Sequence, residues 1–234
     1  MNKHYNEFTK PFSRLGRRYD LAKVFNDLLT ISICSFHQIN IKSRLQIKDQ
    51  ENEALYLETI KSYKNEDLDH FAHALGALQL NVLDHPYSDI LGEFFMNEIT
   101  KGQNGQYFTP ENICDFMAKI NQPIFENQKA DRVLDPACGS GRMLLSYAKQ
   151  DHKNYFFGAD NSNTCAKMAT LNFFLNGLKG EVSWMNSLSM EWYGGWHINM
   201  NGLGIVPISK EQSLIWTKAP KIESKKQTQQ LTLF

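Results

Sequence analysis

A short apolar run that leads directly into a glycine-rich turn restricts the fold of this chain more than any other feature. Residues 131–135 (DRVLD) predict a buried strand, and residues 135–141 (DPACGSG) follow it and open a helix over about 141–150. Glycines at a strand-to-helix turn let a ligand approach the backbone closely. A tight turn that binds no ligand is the alternative interpretation of the same residues.

The alternation of strand and helix continues after this turn. Residues 154–159 (NYFFGA) predict a second strand, about 163–176 a second helix, and 181–185 (EVSWM) a third strand. Strands that alternate with helices indicate a parallel sheet with helices packed on its faces. The expected fold class is therefore α/β.

Apolar residues at helical spacing fill the stretch from residue 18 to about 100, as in Leu21, Val24, Phe25 and Leu28. Ser88 is the expected cap of the last helix in this stretch. The predicted organisation is a helical N-terminal region (1–104), an α/β domain (105–215) and a polar, lysine-rich flexible tail (216–234) that ends in QLTLF.

Composition excludes several classes of protein. Lys plus Arg equals Asp plus Glu, 25 each, so there is no overall positive field and any contact with nucleic acid needs a local patch. The four cysteines lie far apart, and His70 with His73 lacks further ligands, so no metal site is expected. With no signal peptide and no membrane-spanning run, a cytoplasmic protein is expected. The candidate basic patches are Arg14, Arg17 and Arg18, and Lys221, Lys225 and Lys226.

A carboxylate stands at the end of each of the first two predicted strands. Asp135 can bind a cationic amine, and Asp160 follows it by 25 residues (160 − 135), a spacing that suits a carboxylate that binds a ribose. A helix cap is the simpler role for Asp160. Leu144 replaces the third glycine of the dinucleotide-binding motif, and no Gly-Lys-Ser/Thr follows the turn. Together these features predict an adenosine-containing cofactor at the carboxyl ends of the strands.

A third motif, residues 105–110 (GQYFTP), precedes the glycine turn. Thr109 and Pro110 alone would only mark the start of a helix. GQYFTP, VLDPACGSG, GAD and NSL, in this order, resemble the N6-adenine DNA methyltransferases of the type I restriction modification-subunit kind, over about residues 105–188. The resemblance implies a truncated Rossmann-like sheet, S-adenosylmethionine (SAM) as cofactor, double-stranded DNA as substrate, and a specificity subunit or a partner methylase subunit.

The same resemblance assigns the cofactor to four segments of the chain. In that family the FTP segment lies over the cofactor, the glycine loop holds its methionine part, the acid after the second strand holds the ribose, and the residue after the third strand lies near the adenine. The implied cofactor-binding residues are Tyr107, Phe108, Thr109, Pro110, Asp135, Ala137, Cys138, Gly139, Ser140, Gly141, Asp160, Asn161 and Asn186.

The family's catalytic tetrapeptide, Asn/Asp-Pro-Pro-aromatic, is not recognisable in this sequence. The chain has no Pro-Pro pair, and Asn201, which follows Asn186 by 15 residues (201 − 186), is the nearest analogue of the catalytic residue. An Asn-Gly pair between apolar runs more naturally forms a hairpin turn, which is the favoured interpretation. The aromatic cluster Trp192, Tyr193 and Trp196 is expected to pack in the core, and a stacking surface is the alternative.

Three functional classes stay open on these grounds. The chain is an adenine-N6 methyltransferase whose catalysis is weak or partner-dependent, a catalytically inactive SAM-binding accessory module, or a DNA-transaction protein that uses the fold as a scaffold. The terminal QLTLF resembles the pentapeptide by which bacterial polymerases and repair proteins bind the sliding clamp. Docking onto the chain's own surface is the alternative for this terminus. Its predicted clamp contacts are Gln230, Leu231, Leu233 and Phe234.

Overall fold

A computed structural model describes residues 3–37, 46–101, 108–121, 130–200 and 202–216. The helices of these ranges are α1 (Lys3–Leu15), α2 (Leu21–Ser35), α3 (Gln46–Ile60), α4 (Asn65–Asp84), α5 (Ile90–Phe94), α6 (Glu111–Ile120), α7 (Arg142–Gln150) and α8 (Asn163–Leu175). A π-helical turn (Phe95–Thr100) continues α5, and a 3-10 turn covers Lys210–Gln212. The strands are β1 (Arg132–Asp135), β2 (Tyr155–Asp160), β3 (Lys179–Asn186), β4 (Glu191–Ile198) and β5 (Ile205–Pro207).

The helical N-terminal region packs around a cluster of phenylalanine rings. The ring centroids of Phe12 and Phe94 are 4.4 Å apart, and those of Phe8 and Phe94 are 5.4 Å apart at nearly a right angle. Phe8, Phe12 and Leu15 recur at helical spacing and are buried. α1 therefore lies within the predicted helical region (1–104), although helical spacing was expected only from residue 18, and its buried aromatic residues complete this core.

The last helix of this region is capped by Asp89 and not by Ser88. The Asp89 carboxylate accepts a hydrogen bond from the backbone N–H of Gly92 at 2.9 Å, which satisfies one of the free donors at the start of α5. The Ser88 hydroxyl instead accepts a bond from the Asn81 side chain and donates to the His85 carbonyl. The prediction of Ser88 as the cap was wrong by one residue.

The five strands lie in chain order across one sheet, β1-β2-β3-β4-β5. β1, β2 and β3 are parallel, and α7 and α8 make the two crossovers between them on one face. β4 and β5 are antiparallel to their neighbours. The expected α/β fold class, with the three predicted strands parallel, is confirmed. The connection from Asn186 to Glu191 is too short for a parallel crossover, so the chain must turn back on itself.

Helix α8 belongs to both parts of the structure. Cys165, Met168 and Leu171 lie in the core of the helical region, while Ala169 and Phe173 lie in the core beneath the sheet. The predicted boundary between residues 104 and 105 falls outside the described residues. None of the described helices has the length and apolar character that a membrane span requires.

Candidate cofactor site

The parallel strands bring the predicted cofactor residues to one edge of the sheet. Asp135, Asp160 and Asn186 are the last residues of β1, β2 and β3. Because the carboxyl ends of parallel strands meet at the same edge, the three side chains follow one another along it. This edge of an α/β sheet is where ligands bind most often.

The glycine loop between β1 and α7 adopts the backbone shape that its glycines permit. Gly139 and Gly141 have φ of +55° and +84°, a region that other residues enter at a cost. A Cβ atom on Gly139 would lie 2.7 Å from a ring carbon of Phe108. Phe108 of the GQYFTP motif (residues 105–110) is therefore packed directly on the glycine loop.

The rest of the YFTP segment leads from this contact into α6. The Thr109 carbonyl accepts a hydrogen bond from the Arg142 guanidinium at 3.3 Å. Pro110 occupies the residue before the helix, and its carbonyl accepts from the N–H groups of Ile113 and Cys114 at 3.0 Å. Thr109 is therefore not the helix cap and Pro110 not its first residue, because α6 begins at Glu111. Tyr107 lies outside the described residues.

Asp160 connects β2 to the glycine loop. One carboxylate oxygen accepts from the Gly139 N–H at 2.8 Å, and the other accepts from the Ser162 N–H at 2.8 Å. The Cys138 N–H also donates to the Ala159 carbonyl, at 2.9 Å. The side chain of Ser162, and not that of Asp160, caps α8. Asp160 therefore holds the loop in place from the neighbouring strand.

Two carboxylates close together give this edge a negative charge. Burial raises the pKa of Asp135 above its ordinary value, the hydrogen bond from the Ala137 N–H at 3.0 Å opposes the rise, and the nearby charge of Asp160 adds to it. A cationic ligand at this place would relieve the mutual repulsion of the two carboxylates. The charge therefore suits a sulfonium or ammonium group.

The β3–β4 hairpin starts at the same edge of the sheet, after Asn186. The Asn186 side-chain carbonyl accepts from the N–H groups of Leu188 and Ser189 at 3.0 and 3.1 Å. The Ser187 hydroxyl donates to the Pro136 carbonyl at 2.6 Å. The Asn161 carbonyl accepts from the Trp184 indole N–H at 3.1 Å. Asn186 thus shapes the hairpin that is bonded to the glycine loop.

A cavity of about 90 Å³ lies between residues 108–109 and the glycine loop. Larger cavities, of about 490 and 730 Å³, lie against the N-terminal helices and contain none of the predicted cofactor residues. We assign the site to the smaller cavity because its lining holds the carboxylate, the loop amides and the aromatic ring. Its lining residues are Phe108, Thr109, Cys114, Asp135, Ala137, Cys138, Gly139, Ser140, Arg142 and Met143.

Asp89 is a site residue that the sequence did not identify. The oxygen that does not cap α5 accepts from the Ser140 hydroxyl at 2.5 Å and from the Arg142 guanidinium at 2.9 Å. The capping oxygen also accepts from the Asn172 amide, which in turn donates to the Ser140 carbonyl. This buried network fixes the glycine loop to the helical region. The only sequence signal was an acidic residue at a predicted helix start.

The candidate catalytic residue Asn201 lies outside the described residues, but its surroundings are described. The loop that contains it closes a β4–β5 hairpin through a bond from the Asn199 N–H to the Gly204 carbonyl at 2.9 Å. Ile198 pairs with Gly180, near the start of β3. The hairpin starts at the opposite end of the 8-residue strand β4 from the cofactor site, about 25 Å away at 3.3 Å per residue. A hairpin at this place is the interpretation that the sequence favoured, and a catalytic role of Asn201 stays a prediction.

The aromatic cluster on β4 is divided between core and surface. Trp196 packs against the core beneath the sheet, as expected. Tyr193 is 41% exposed, and its ring centroid lies 5.1 Å from that of Trp184. The prediction of core packing was therefore wrong for Tyr193. The position of Tyr193 follows from a bulge opposite Trp184 and Met185, where the register of β3 and β4 shifts.

The predicted basic patch at and after the end of α1 is partly neutralised. Arg18 donates to the carboxylates of Glu66 and Asp67 at 2.7 and 3.1 Å. Arg14 lines the cavity between α1 and α4 with Lys10 and His70. Lys221, Lys225 and Lys226 lie outside the described residues. Among the described residues, no three His, Cys, Asp or Glu side chains are close enough together to hold a metal ion.

Comparison with known proteins bears on the whole central part of the chain. The model of the N-6 DNA methylase family matches residues 79–204, more than half of the chain. The type I restriction enzyme MjaVIII methylase subunit of Methanocaldococcus jannaschii is 30% identical over 125 residues, which cover 50% of this chain and 21% of that protein. The type II restriction enzyme and methyltransferase RM.BcgI of Heyndrickxia coagulans is 31% identical over 136 residues, 50% of this chain and 20% of that protein.

A more distant relative is the type I MpnII methylase subunit of Mycoplasma pneumoniae, 24% identical over 142 residues, 56% of this chain and 26% of that protein. The chain spans only about a fifth to a quarter of the length of these relatives. No solved structure matches the chain. The family match confirms the resemblance that the YFTP and glycine-loop motifs suggested. The chain belongs to the N-6 DNA methylase family.

Proposed function

We propose that this chain binds S-adenosylmethionine at the carboxyl ends of β1, β2 and β3 and serves in DNA adenine-N6 methylation as the cofactor-binding part. The observation that carries the proposal is the convergence of Phe108, Asp135 and Asp160 on one glycine loop. Asp135 begins the loop, while Phe108 and Asp160 come to it from two separate segments of the chain. A tight turn without a ligand would not require a loop glycine packed under an aromatic ring from a distant segment.

The chemistry of the cavity lining, and of Asp160 beside it, fits the parts of this cofactor. Asp135 suits the ammonium group, and the N–H groups at the start of α7 suit the carboxylate, because a helix N-terminus favours an anion. Asp160 suits the ribose hydroxyls, since a carboxylate has about four lone-pair positions and the backbone bonds use two of them. When bound, the cofactor supplies an electrophilic methyl group. The protein's part is to orient that group and to exclude water from it.

Catalysis needs further groups, and the sequence does not contain them as a recognisable tetrapeptide. The adenine amino group is a poor nucleophile because its lone pair is delocalised into the ring. Enzymes that act on a base flip it out of the duplex, and hydrogen-bond acceptors and a stacking ring then hold it. The chain has no Pro-Pro pair. The hairpin that leads to Asn201 starts at the end of β4 that pairs with the beginning of β3, opposite the end where Asn186 lies. We therefore propose that the isolated chain transfers methyl groups to adenine very slowly or not at all.

A labelled-methyl transfer assay on unmethylated DNA tests the catalytic half of this proposal. The expected result with the purified chain is cofactor binding without turnover, because the transition state lacks its preorganised acceptors. Turnover by the purified chain alone, at a rate usual for enzymes, would contradict the proposal.

Recruitment to DNA through the sliding clamp stays a prediction, since Gln230, Leu231, Leu233 and Phe234 lie outside the described residues. An apolar pair at the end of a polar tether can fill a pocket on a partner, and tethering raises the effective concentration at DNA. Binding of the full chain, and of a chain that ends at Gln229, to the host's purified clamp tests it. Equal binding by both, or no binding by either, would exclude it.

A further inference from the structure

A groove between α1 and α4 forms a cavity of about 490 Å³. Small-molecule sites in proteins usually have volumes of about 300–1,000 Å³ and combine an apolar lining with a few polar groups. The cavity shares no lining residue with the candidate cofactor site. It is therefore a separate place where a ligand of moderate size fits.

The two helices that form the groove run antiparallel. His4, near the start of α1, pairs with Asp84 at the end of α4 at 2.7 Å. Arg18, just after the end of α1, bonds to Asp67 in the first turn of α4 at 3.1 Å. The lining residues of α1 therefore meet those of α4 in reverse order along the groove.

One end of the groove carries a cluster of basic side chains. Arg14 lies level with His70 and His73, which are three residues apart on one face of α4, and Lys10 precedes Arg14 by one helical turn. Among the described residues, Glu7 is the one acidic side chain of the lining, and it pairs with Lys10 at 2.5 Å. Within the same residues Arg14 forms no ion pair. A guanidinium beside two imidazoles suits a phosphate group.

The groove has an apolar floor next to this cluster. Pro11 and Ala77 are buried, and Leu80, further along α4, is 56% exposed. A Cβ atom on Gly76 would meet nothing within 4 Å, so the space above this part of α4 is open. From His73 to Ala77 the distance along the helix is about 6 Å at 1.5 Å per residue. The floor therefore suits a flat ring that is joined to an anionic group through a short spacer.

Pro11 also leaves a backbone acceptor in the groove. Proline has no N–H group, so the Glu7 carbonyl cannot accept the usual bond from the residue four positions later. Glu7 and Pro11 both line the cavity. A hydroxyl or amino group of a ligand can therefore donate to this carbonyl.

We propose that this groove binds a nucleoside monophosphate, with its phosphate at Arg14, His70 and His73 and its base over Gly76 and Ala77. Such a ligand has the anionic group, the flat ring and the donor groups that the lining complements. The phosphate backbone of DNA fits less well, because it would leave the recessed apolar floor without a contact. The inference does not depend on the proposed function, since the two sites share no residue.

Calorimetry on the full chain at low salt tests the proposal. The probes are the 5′-monophosphates of adenosine, guanosine, cytidine and uridine, together with inorganic phosphate and the four nucleosides without phosphate. We expect at least one monophosphate to saturate one site per chain. Inorganic phosphate and the matching nucleoside should each bind at least about tenfold more weakly, because each lacks half of the contacts.

Two variants alter the two halves of the groove separately. Arg14→Gln removes the charge at the phosphate end, and Gly76→Leu fills the open floor; each should weaken binding of the monophosphate at least about tenfold. Arg17→Gln is the matched control, since Arg17 is also exposed, follows α1 and does not line the cavity. It should leave the affinity unchanged.

Nuclear magnetic resonance locates the ligand directly. The ring signals of His70 and His73 should shift on addition of the monophosphate, because both imidazoles line the cavity. The signal of His152, which follows α7 and lies outside the groove, should not shift.

Four results would overturn the proposal. The first is no saturable binding of any monophosphate at millimolar concentration by the folded chain, or equal binding by Arg14→Gln and Arg17→Gln. The second is binding of inorganic phosphate as tight as that of the nucleotide, which would leave an anion site without a place for the base. The third is displacement of the nucleotide by S-adenosylmethionine, which would assign it to the cofactor site. The fourth is binding of a DNA duplex alone that weakens in Arg14→Gln but not in Gly76→Leu, which would assign the cations to a DNA backbone.

Discussion

The carboxylate of Asp89 accepts a hydrogen bond from the hydroxyl of Ser140 at 2.5 Å, across 51 residues of chain. Asp89 begins α5 in the helical region, and Ser140 lies within the glycine loop. The bond is buried, and Arg142 and Asn172 bond to the same carboxylate. The helical region therefore sets the position of the loop that we propose binds the cofactor.

Replacement of Asp89 tests this relationship. Asp89→Asn removes the negative charge and leaves Arg142 without its carboxylate partner. The new side-chain amide also brings an N–H group to a place where the neighbouring groups are themselves hydrogen-bond donors. We expect the free energy of unfolding to fall by about 3 kcal/mol, as for other broken buried pairs. We also expect weaker S-adenosylmethionine binding by the protein that stays folded, measured by calorimetry well below the unfolding midpoint.

Asp84→Asn is the matched control, because Asp84 pairs with His4 and its side chain is 63% exposed. An exposed pair contributes about 0–1 kcal/mol, so little change is expected. Unaltered cofactor affinity in folded Asp89→Asn would show that the network has no role in positioning the loop.

Gly92 tests the close approach of α5 to the glycine loop. A Cβ atom there would lie 2.1 Å from the Asp89 carboxylate and 2.6 Å from the Ser140 hydroxyl oxygen. Gly92→Ala should therefore lower the free energy of unfolding by about 1–3 kcal/mol, in the range for overpacked sites. Gly76→Ala on α4, where nothing lies within 4 Å, should raise it by about 0.5–1 kcal/mol. Urea denaturation of both variants measures the two changes in the free energy of unfolding. Equal changes would contradict the close packing of Gly92 against Asp89 and Ser140.

The lowered pKa of Glu181 predicts how the free energy of unfolding depends on pH. Its burial opposes ionisation, but the hydrogen bonds from His197, Ser213, Leu214 N–H and Ser183 outweigh burial and hold its pKa below the ordinary 4.5. The folded state then binds fewer protons than the unfolded state. The stabilisation is complete above about pH 4.5 and is lost as the pH falls through the lowered pKa.

The pH dependence of stability in Glu181→Gln tests the predicted loss of stabilisation at low pH. Relative to the unaltered chain, the variant should unfold at lower urea concentration at pH 7 and should lose less stability between pH 5 and 3, as the linkage of proton binding to folding requires. Glu58→Gln on α3 is the control, because the Glu58 side chain is 75% exposed. If Glu181→Gln and the unaltered chain lose the same stability between pH 5 and 3, ionised Glu181 does not stabilise the folded state as predicted.

The Asn201 loop gives a prediction about catalysis. Because its hairpin starts at the opposite end of β4 from the cofactor site, Asn201→Ala should leave methyl transfer unchanged in any complex of this chain that is active. Asn199→Ala should lower the free energy of unfolding by about 1–3 kcal/mol, because the buried Asn199 amide bonds to the Leu178 carbonyl and the Gly204 N–H. A large loss of turnover with normal stability in Asn201→Ala would restore it as the acceptor.

Local patterns in the sequence predicted the elements that depend on local interactions. The apolar runs of β1, β2 and β3 and the helices between them lie within a residue or two of their expected positions. The glycine loop and the two carboxylates were identified because a strand, a turn and a helix are consecutive in the chain. β4 was not predicted as a strand, and its direction depends on the short turn after Asn186. The Asp89–Ser140 bond joins distant segments and leaves no periodic signal.

A calorimetric titration with S-adenosylmethionine tests the central claim most directly. The account predicts saturable binding to one site per chain, about thirtyfold weaker in Asp160→Ala, which corresponds to about 2 kcal/mol for a charge-assisted hydrogen bond. Asp69→Ala, an exposed acid on α4, should bind like the unaltered chain. No heat and no thermal stabilisation at millimolar cofactor, with the chain folded, would contradict the account.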